Sequence, residues 1–168
     1  MVMDIIGFLK KKGTKWPFKP KTPTSASFPV GPYNLDMQIA GLSGLRELSK
    51  IEYRAVTRQF KGERIYQTLD VDFLDYHWKL MISVVNGKVY KIAAYIETQD
   101  KDLAHVAAMT TFSYCKQQIG EPTKQRGEMF IWDTIDGDVA LQTTQIKEEF
   151  GINLFLTSHA VRHFTRLR

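Results

Sequence analysis

The chain has one cysteine, Cys115, and so can form no internal disulfide. That scarcity fits a reducing compartment. No apolar run approaches the roughly 18 residues that a membrane-spanning helix needs. At the N-terminus the lysines follow Ile5, Ile6, Phe8 and Leu9 instead of preceding them, the reverse of a secretory signal. Together these absences lead us to expect a cytoplasmic protein. Phosphate-cradling and nucleophile-presenting motifs are also missing. There is no Walker A loop, no Gly-x-Gly-x-x-Gly and no Gly-x-Ser-x-Gly, and the stretch from Gly41 to Gly44 is too short to wrap a phosphate.

What is present is ordinary for a folded domain, with 43% hydrophobic and 24% charged residues. A chain of 168 residues buries about 70% of the surface it exposes when unfolded, enough for a core without metal or crosslink. The net charge of +5 is concentrated at the two ends. Residues 1–23 hold six lysines against Asp4 alone, and Arg162, Arg166 and Arg168 lie near the other end. The stretch between, 24–161, has 14 basic and 17 acidic residues. A basic pI that describes two ends and not the body argues against nucleic acid as the partner.

Five of the six prolines lie between Trp16 and Tyr33, interspersed with serine and threonine. Proline fixes φ and extends its predecessor, so residues 13–32 read as an extended linker. This divides the chain into a basic, proline-rich arm, 1–32, and one folded domain, 33–168. In the domain, Tyr33, Leu35, Met37 and Ile39 alternate with polar neighbours, which predicts a strand. A short helical turn or loop follows around Ser43, with Leu45 and Leu48 buried. Strands are then predicted at 51–60, 64–74, 77–85 and 88–96. In the second of these, Ile65, Leu69, Val71 and Phe73 share a face opposite Arg64, Asp70 and Asp72. Asn86-Gly87 between the last two supplies the positive φ angles of a tight hairpin turn.

A helix is predicted over 101–119, capped by Asp100 or Asp102 and ended by Gly120 and Pro122. Its buried stripe is Ala104, Ala108, Phe112, Cys115 and Ile119. Strands at 128–134, 138–146 and 152–157 complete the pattern, and residues 159–166 read as a short helix or tail. The fold class is therefore α+β: an antiparallel sheet of about six to eight strands with one long helix on one face.

The chemical candidates are sparse, and each has a plain structural explanation. His159 and His163 are spaced i, i+4, but Ala160 stands where a zinc protease has glutamate and no third ligand is evident. Asp133, Asp136 and Asp138 around Gly137 depart from calcium-loop spacing and read as turn chemistry. Cys115 falls on the apolar helix stripe, and nothing in the sequence brings His77, His105 or His159 within reach of it. Asp70, Asp72 and Asp75, and the pair Glu148 and Glu149, read as solvated ion pairs at a sheet surface. We therefore expect no cofactor, no metal and no catalytic residues.

The aromatic residues point further. Tyr53, Phe60, Tyr66, Trp78, Tyr90, Tyr95, Phe130 and Trp132 fall on predicted strands, and Tyr76 directly before one. One helix covers only one face of a single-layer sheet, so some aromatics either contact a partner or are covered by Trp16, Phe18 and Phe28 of the arm. Tyrosine and tryptophan beside lysine or arginine are the usual anchors of protein interfaces. Tyr66, Trp78, Tyr90, Tyr95 and Trp132 are the candidate binding residues, and Tyr90 and Tyr95 are expected on opposite faces.

The order hairpin, helix, Ile119-Gly120-Glu121-Pro122, hairpin over residues 77–146 resembles small α+β modules such as the β-lactamase-inhibitor-like and outer-membrane lipoprotein domains. The resemblance is one of element order, without a diagnostic motif, and the lipoprotein cysteine near the start is absent. It implies protein binding on the sheet face and not catalysis. The leading expectation is thus a non-catalytic protein-binding module of inhibitor, immunity or adaptor type. The alternative is attachment to an anionic membrane surface through residues 1–21, with Lys10, Lys11, Lys12 and Lys15 meeting the lipid. An enzyme whose site forms only in three dimensions is the third reading.

Overall fold

A computed structural model describes residues 25–40 and 42–167. An eight-stranded antiparallel sheet is packed on one side by a single long helix, the α+β arrangement expected. The strands are β1 (Arg46–Glu47), β2 (Arg64–Phe73), β3 (Tyr76–Val85), β4 (Lys88–Thr98), β5 (Lys124–Arg126), β6 (Met129–Asp133), β7 (Gly137–Ile146) and β8 (Glu149–Ser158). Their spatial order is β1-β2-β3-β4-β8-β7-β6-β5. Two four-stranded meanders therefore meet at β4 and β8. The helix α1 (Lys101–Ile119) connects them and lies over β4, β8 and β7.

Local chemistry sets the helix. The Asp100 side chain accepts hydrogen bonds from the Asp102 and Leu103 amides at 2.9 and 3.0 Å, satisfying two donors that helix geometry leaves free. Gly120 ends the helix at φ +86°, a conformation that side chains rarely adopt. All five residues of the expected stripe are buried, together with Ala107 and Thr111. So many small residues on one face let the helix sit close to the sheet. The Asn86-Gly87 hairpin also forms as expected, with both residues at positive φ.

Residues 25–32 are not linker. Ala26, Phe28 and Val30 are buried and alternate with exposed Ser25, Ser27 and Pro29. With Tyr33 and Leu35 they join the core beside the helix. Phe28 meets the Tyr114 ring of α1 edge-on at 5.6 Å, and Tyr114 meets Phe73 at 5.3 Å. Burying Phe28 and Val30 stabilises the fold by about 1.5–3 kcal/mol each. The prolines masked this alternation in the sequence.

The start of this segment is tied to the β6–β7 turn. Asp136 accepts hydrogen bonds from the Ser25 hydroxyl, the Ala26 amide at 2.7 Å and the Thr134 hydroxyl at 3.0 Å. Burial pushes the Asp136 carboxyl up, but these bonds outweigh it and hold the group below its ordinary value. A depressed carboxyl contributes stability above its unfolded pKa, about 4, and loses it as pH falls through the folded value. Asp136→Ala is therefore expected to cost roughly 1–2 kcal/mol at pH 7 and to flatten the acid limb of stability against pH. Urea titrations from pH 3 to 7 check this, with faster exchange at the Ala26 amide as the local sign.

Four further sequence expectations fail. Residues 33–40 form no continuous strand: Asp36 sits at φ +64°, and the segment meets the start of β4 only through an isolated antiparallel bridge, Gln38 opposite Lys88, with backbone bonds to Gly87 and Val89. Residues 51–60 form a 3₁₀ turn (Glu52–Arg54) and a loop, and part of the stretch read as a helical turn forms β1 instead. In β2 the ladder slips between Thr68 and Val71, where Leu69 and Asp70 oppose one residue of β3. Such a bulge reverses the alternation. Ile65 consequently pairs with Ser83 on the side away from the helix, whereas Val71 pairs with Trp78 in the core.

Candidate functional site

The helix and residues 26–35 cover one face of the sheet; the other face carries the candidate site. Cross-strand partners share a face in an antiparallel ladder. Met81 pairs with Ala93, Ala93 with Phe155, Phe155 with Ala140, and Ala140 with Ile131. These five side chains form an apolar stripe across β3, β4, β8, β7 and β6, and each keeps part of its surface in solvent. The next row includes Lys79, Tyr95, Asn153, Gln142 and Met129. The Lys79 ammonium lies 6.0 Å from the Tyr95 ring centroid and that of Lys91 5.9 Å from Phe155.

One end of this face is closed. Phe60, Val85 and Tyr90 form a small second core, joined by Val161 and Phe164. Phe60, Tyr90 and Phe164 meet pairwise edge-on at 5.3–5.5 Å. Beneath them Glu63 is buried, and both its oxygens are occupied. Oε1 accepts from the Tyr90 hydroxyl at 2.5 Å, and Oε2 accepts from the Gln59 and Phe60 amides at 2.6 and 3.1 Å. Burial first, then the hydrogen bond and charge of Glu63, push the Tyr90 hydroxyl far above its ordinary value. The loop before Phe60 thus overhangs the sheet and leaves a cavity of about 300 Å³ between Val56, Thr57 and Gln59 above and Met81, Ala93 and Phe155 below.

Of the aromatic candidates, only Tyr95 lies on this stretch of open face. Trp78 and Trp132 are 0% and 1% exposed, in the main core. Their indole N–H groups donate to Phe73 O at 2.8 Å and Gly120 O at 2.9 Å. Tyr66 pairs with Ile82 and packs half-buried on the helix side. Tyr90 is buried in the second core, and it does not oppose Tyr95. The β3–β4 ladder slips between Ser83 and Val84, so Tyr90 is the extra residue of a bulge and reaches the same side as Lys91. Lys10, Lys11, Lys12 and Lys15, with Trp16 and Phe18, lie outside the described residues.

The remaining candidates serve the fold. The tail is a 3₁₀ turn (His159–His163), in which four residues make more than a full turn, so the two histidines do not align. His159 bonds Asp138 at 3.1 Å, and Asp133 pairs with Lys124 at 2.5 Å. Asp72 pairs with His77 at 2.6 Å, and Asp70 and Asp75 occupy positive-φ turn and bulge positions. Glu148 and Glu149 are exposed at the β7–β8 hairpin. Burial pushes the Cys115 thiol up to about 12, which removes the thiolate that nucleophilic chemistry needs. Among the described residues no three histidine, cysteine or carboxylate groups cluster as metal ligands, and no helix is long and apolar enough to cross a membrane.

A larger concavity of about 600 Å³ runs along the outer side of α1, between Leu74, Val106, Met109 and Tyr114. It is an open valley without a lysine, arginine or carboxylate in its lining. Met81, Ala93, Phe155, Ala140 and Ile131 escaped the sequence reading because they are few, small or isolated within their strands. The Asn86-Gly87 turn offered a partial signal, since folding the hairpin there brings Met81 close to Ala93. No family model, curated protein or solved structure matches the chain.

Proposed function

We propose that the chain is a non-catalytic protein-binding domain that holds its partner on the open sheet face. The observation carrying this reading is the half-buried apolar stripe from Met81 to Ile131, flanked by Tyr95 and two lysines. An aromatic and long cationic stems around an apolar centre are the composition of an interface core and its rim. An inhibitor, an immunity-type protein and an adaptor would all use such a face in the same way. A photo-crosslinking residue placed at Tyr95 is expected to yield a discrete protein adduct in the source cells. The same residue at Val106, on the exposed side of α1, is expected to yield none. Phe155→Arg, checked for folding by circular dichroism, should abolish the Tyr95 adduct. Equal adducts at both positions, or none at Tyr95, would overturn the reading.

A further inference from the structure

We infer that the cavity under residues 56–59 is an anchor pocket for an acidic segment of the partner: it takes one apolar side chain, and the adjoining carboxylates meet Lys91 and Lys79. The inference rests on the protein-binding reading of the open face and specifies the chemistry that the face selects.

The pocket's charge carries the argument. Its apolar surfaces come from Val56, Ile65, Met81, Ala93 and Phe155. The only carboxylate in its lining, Glu63, is buried with both oxygens occupied by Tyr90, Gln59 and Phe60; these bonds leave its charge in place, but it has no salt bridge to Lys91. Lys91 is the one cation in the lining, and Lys79 stands on the other side of the Met81–Ala93 step. Among the described residues neither lysine has a carboxylate partner, and each hovers over an aromatic ring instead. The nearest carboxylate on the Lys91 row is Asp138, two strands and so about 10 Å away, and it is held by His159. Two ammonium groups without an ion pair, one in the lining and one beside it, make the pocket complementary to an anion next to an apolar group.

That charge also decides between occupants. The chain's own residues 1–23 carry six lysines against one aspartate, the wrong sign for this pocket. At about 300 Å³ the cavity is at the small end of ligand pockets, room for one large side chain. Partly exposed charge pairs contribute about 0.2–1 kcal/mol each, so two of them supply selectivity more than affinity.

The six methionines make the test direct, because Met81 lies in the pocket, Met129 at the far side of the open face and Met109 in the helix valley. Full-length protein labelled at the methionine methyls is titrated with the peptide Ac-Asp-Phe-Asp-NH2 and followed by NMR. Saturable movement of the Met81 signal is expected, with Met109 unmoved. Ac-Asn-Phe-Asn-NH2 should bind about fivefold more weakly, and Lys91→Met, which keeps the aliphatic stem, should lower affinity for the acidic peptide by a similar factor. Equal binding of both peptides, movement at Met109 instead of Met81, or no movement would overturn the inference. So would concentration-dependent movement of Met81 in the free protein, which would mark a second copy as the occupant. A Tyr95 adduct without peptide binding would remove the acidic anchor and leave the protein-binding reading standing. Peptide binding without an adduct would do the reverse.

Discussion

Trp78→Ala is expected to remove about 3–5 kcal/mol of stability, a large share of the 5–15 kcal/mol that holds a typical domain. Trp78 is fully buried, packs on the Phe73 ring at 5.9 Å and donates its indole N–H to the Phe73 carbonyl. Removing the indole leaves a void in the core and deprives a buried carbonyl of its donor. The urea midpoint should fall with little change in m. Tyr95→Ala, on the open face, should cost under about 1 kcal/mol, because a half-exposed side chain gives up little packing. A comparable loss from both substitutions would contradict the assignment of Trp78 to the core and Tyr95 to the surface.

Glu63→Ala is expected to cost about 3 kcal/mol or more, since it strands the Tyr90 hydroxyl and two amides together. The carboxylate holds the turn in which the Glu63 amide returns to Phe60 O at 3.2 Å, and so positions the overhanging loop. Glu63→Gln keeps an acceptor and should lose roughly half as much. Tyr90→Phe combined with Glu63→Gln should show non-additive losses, the mark of a shared hydrogen bond. The pH dependence has a definite sign. The Tyr90 hydroxyl is raised by burial and by Glu63. Its contribution is therefore complete below about pH 10, the unfolded value, and declines as pH rises through the folded one. Alkaline unfolding of Tyr90→Phe should accordingly be less steep than that of the parent.

The parts of the fold legible in the sequence are those set by neighbouring residues. Asp100, Gly120 and the Asn86-Gly87 turn act within a few positions, and helix and hairpin form where their chemistry places them. Residues 33–40 and 51–60 carry strand-like alternation and aromatics, but they make only isolated bridges, among them Gln38 to Lys88 and Phe60 to Arg166, and no continuous ladder. Tyr53 donates nothing to a sheet edge through its backbone; its hydroxyl accepts the Ile65 amide at 2.8 Å. The two bulges were hidden because neither rests on glycine, and Asp70 and Tyr90 look like regular strand residues. Each reverses an alternation, which displaced Ile65 and Tyr90 to the unexpected side. The stripe itself depends on β4 meeting β8, a pairing that no local signal encodes.

That pairing has a consequence on the ribosome. β4 ends at Thr98 and its partner β8 begins at Glu149. At about 5–20 residues per second, the roughly fifty residues between them take several seconds to synthesise. During that interval β4 presents an unpaired edge whose alternate residues, Ile92, Ala94 and Ile96, belong to the core. It is a template for strands of other nascent chains. The helix follows β4 directly in the chain, so it is the first core element available to cover that apolar side before the proper strand arrives.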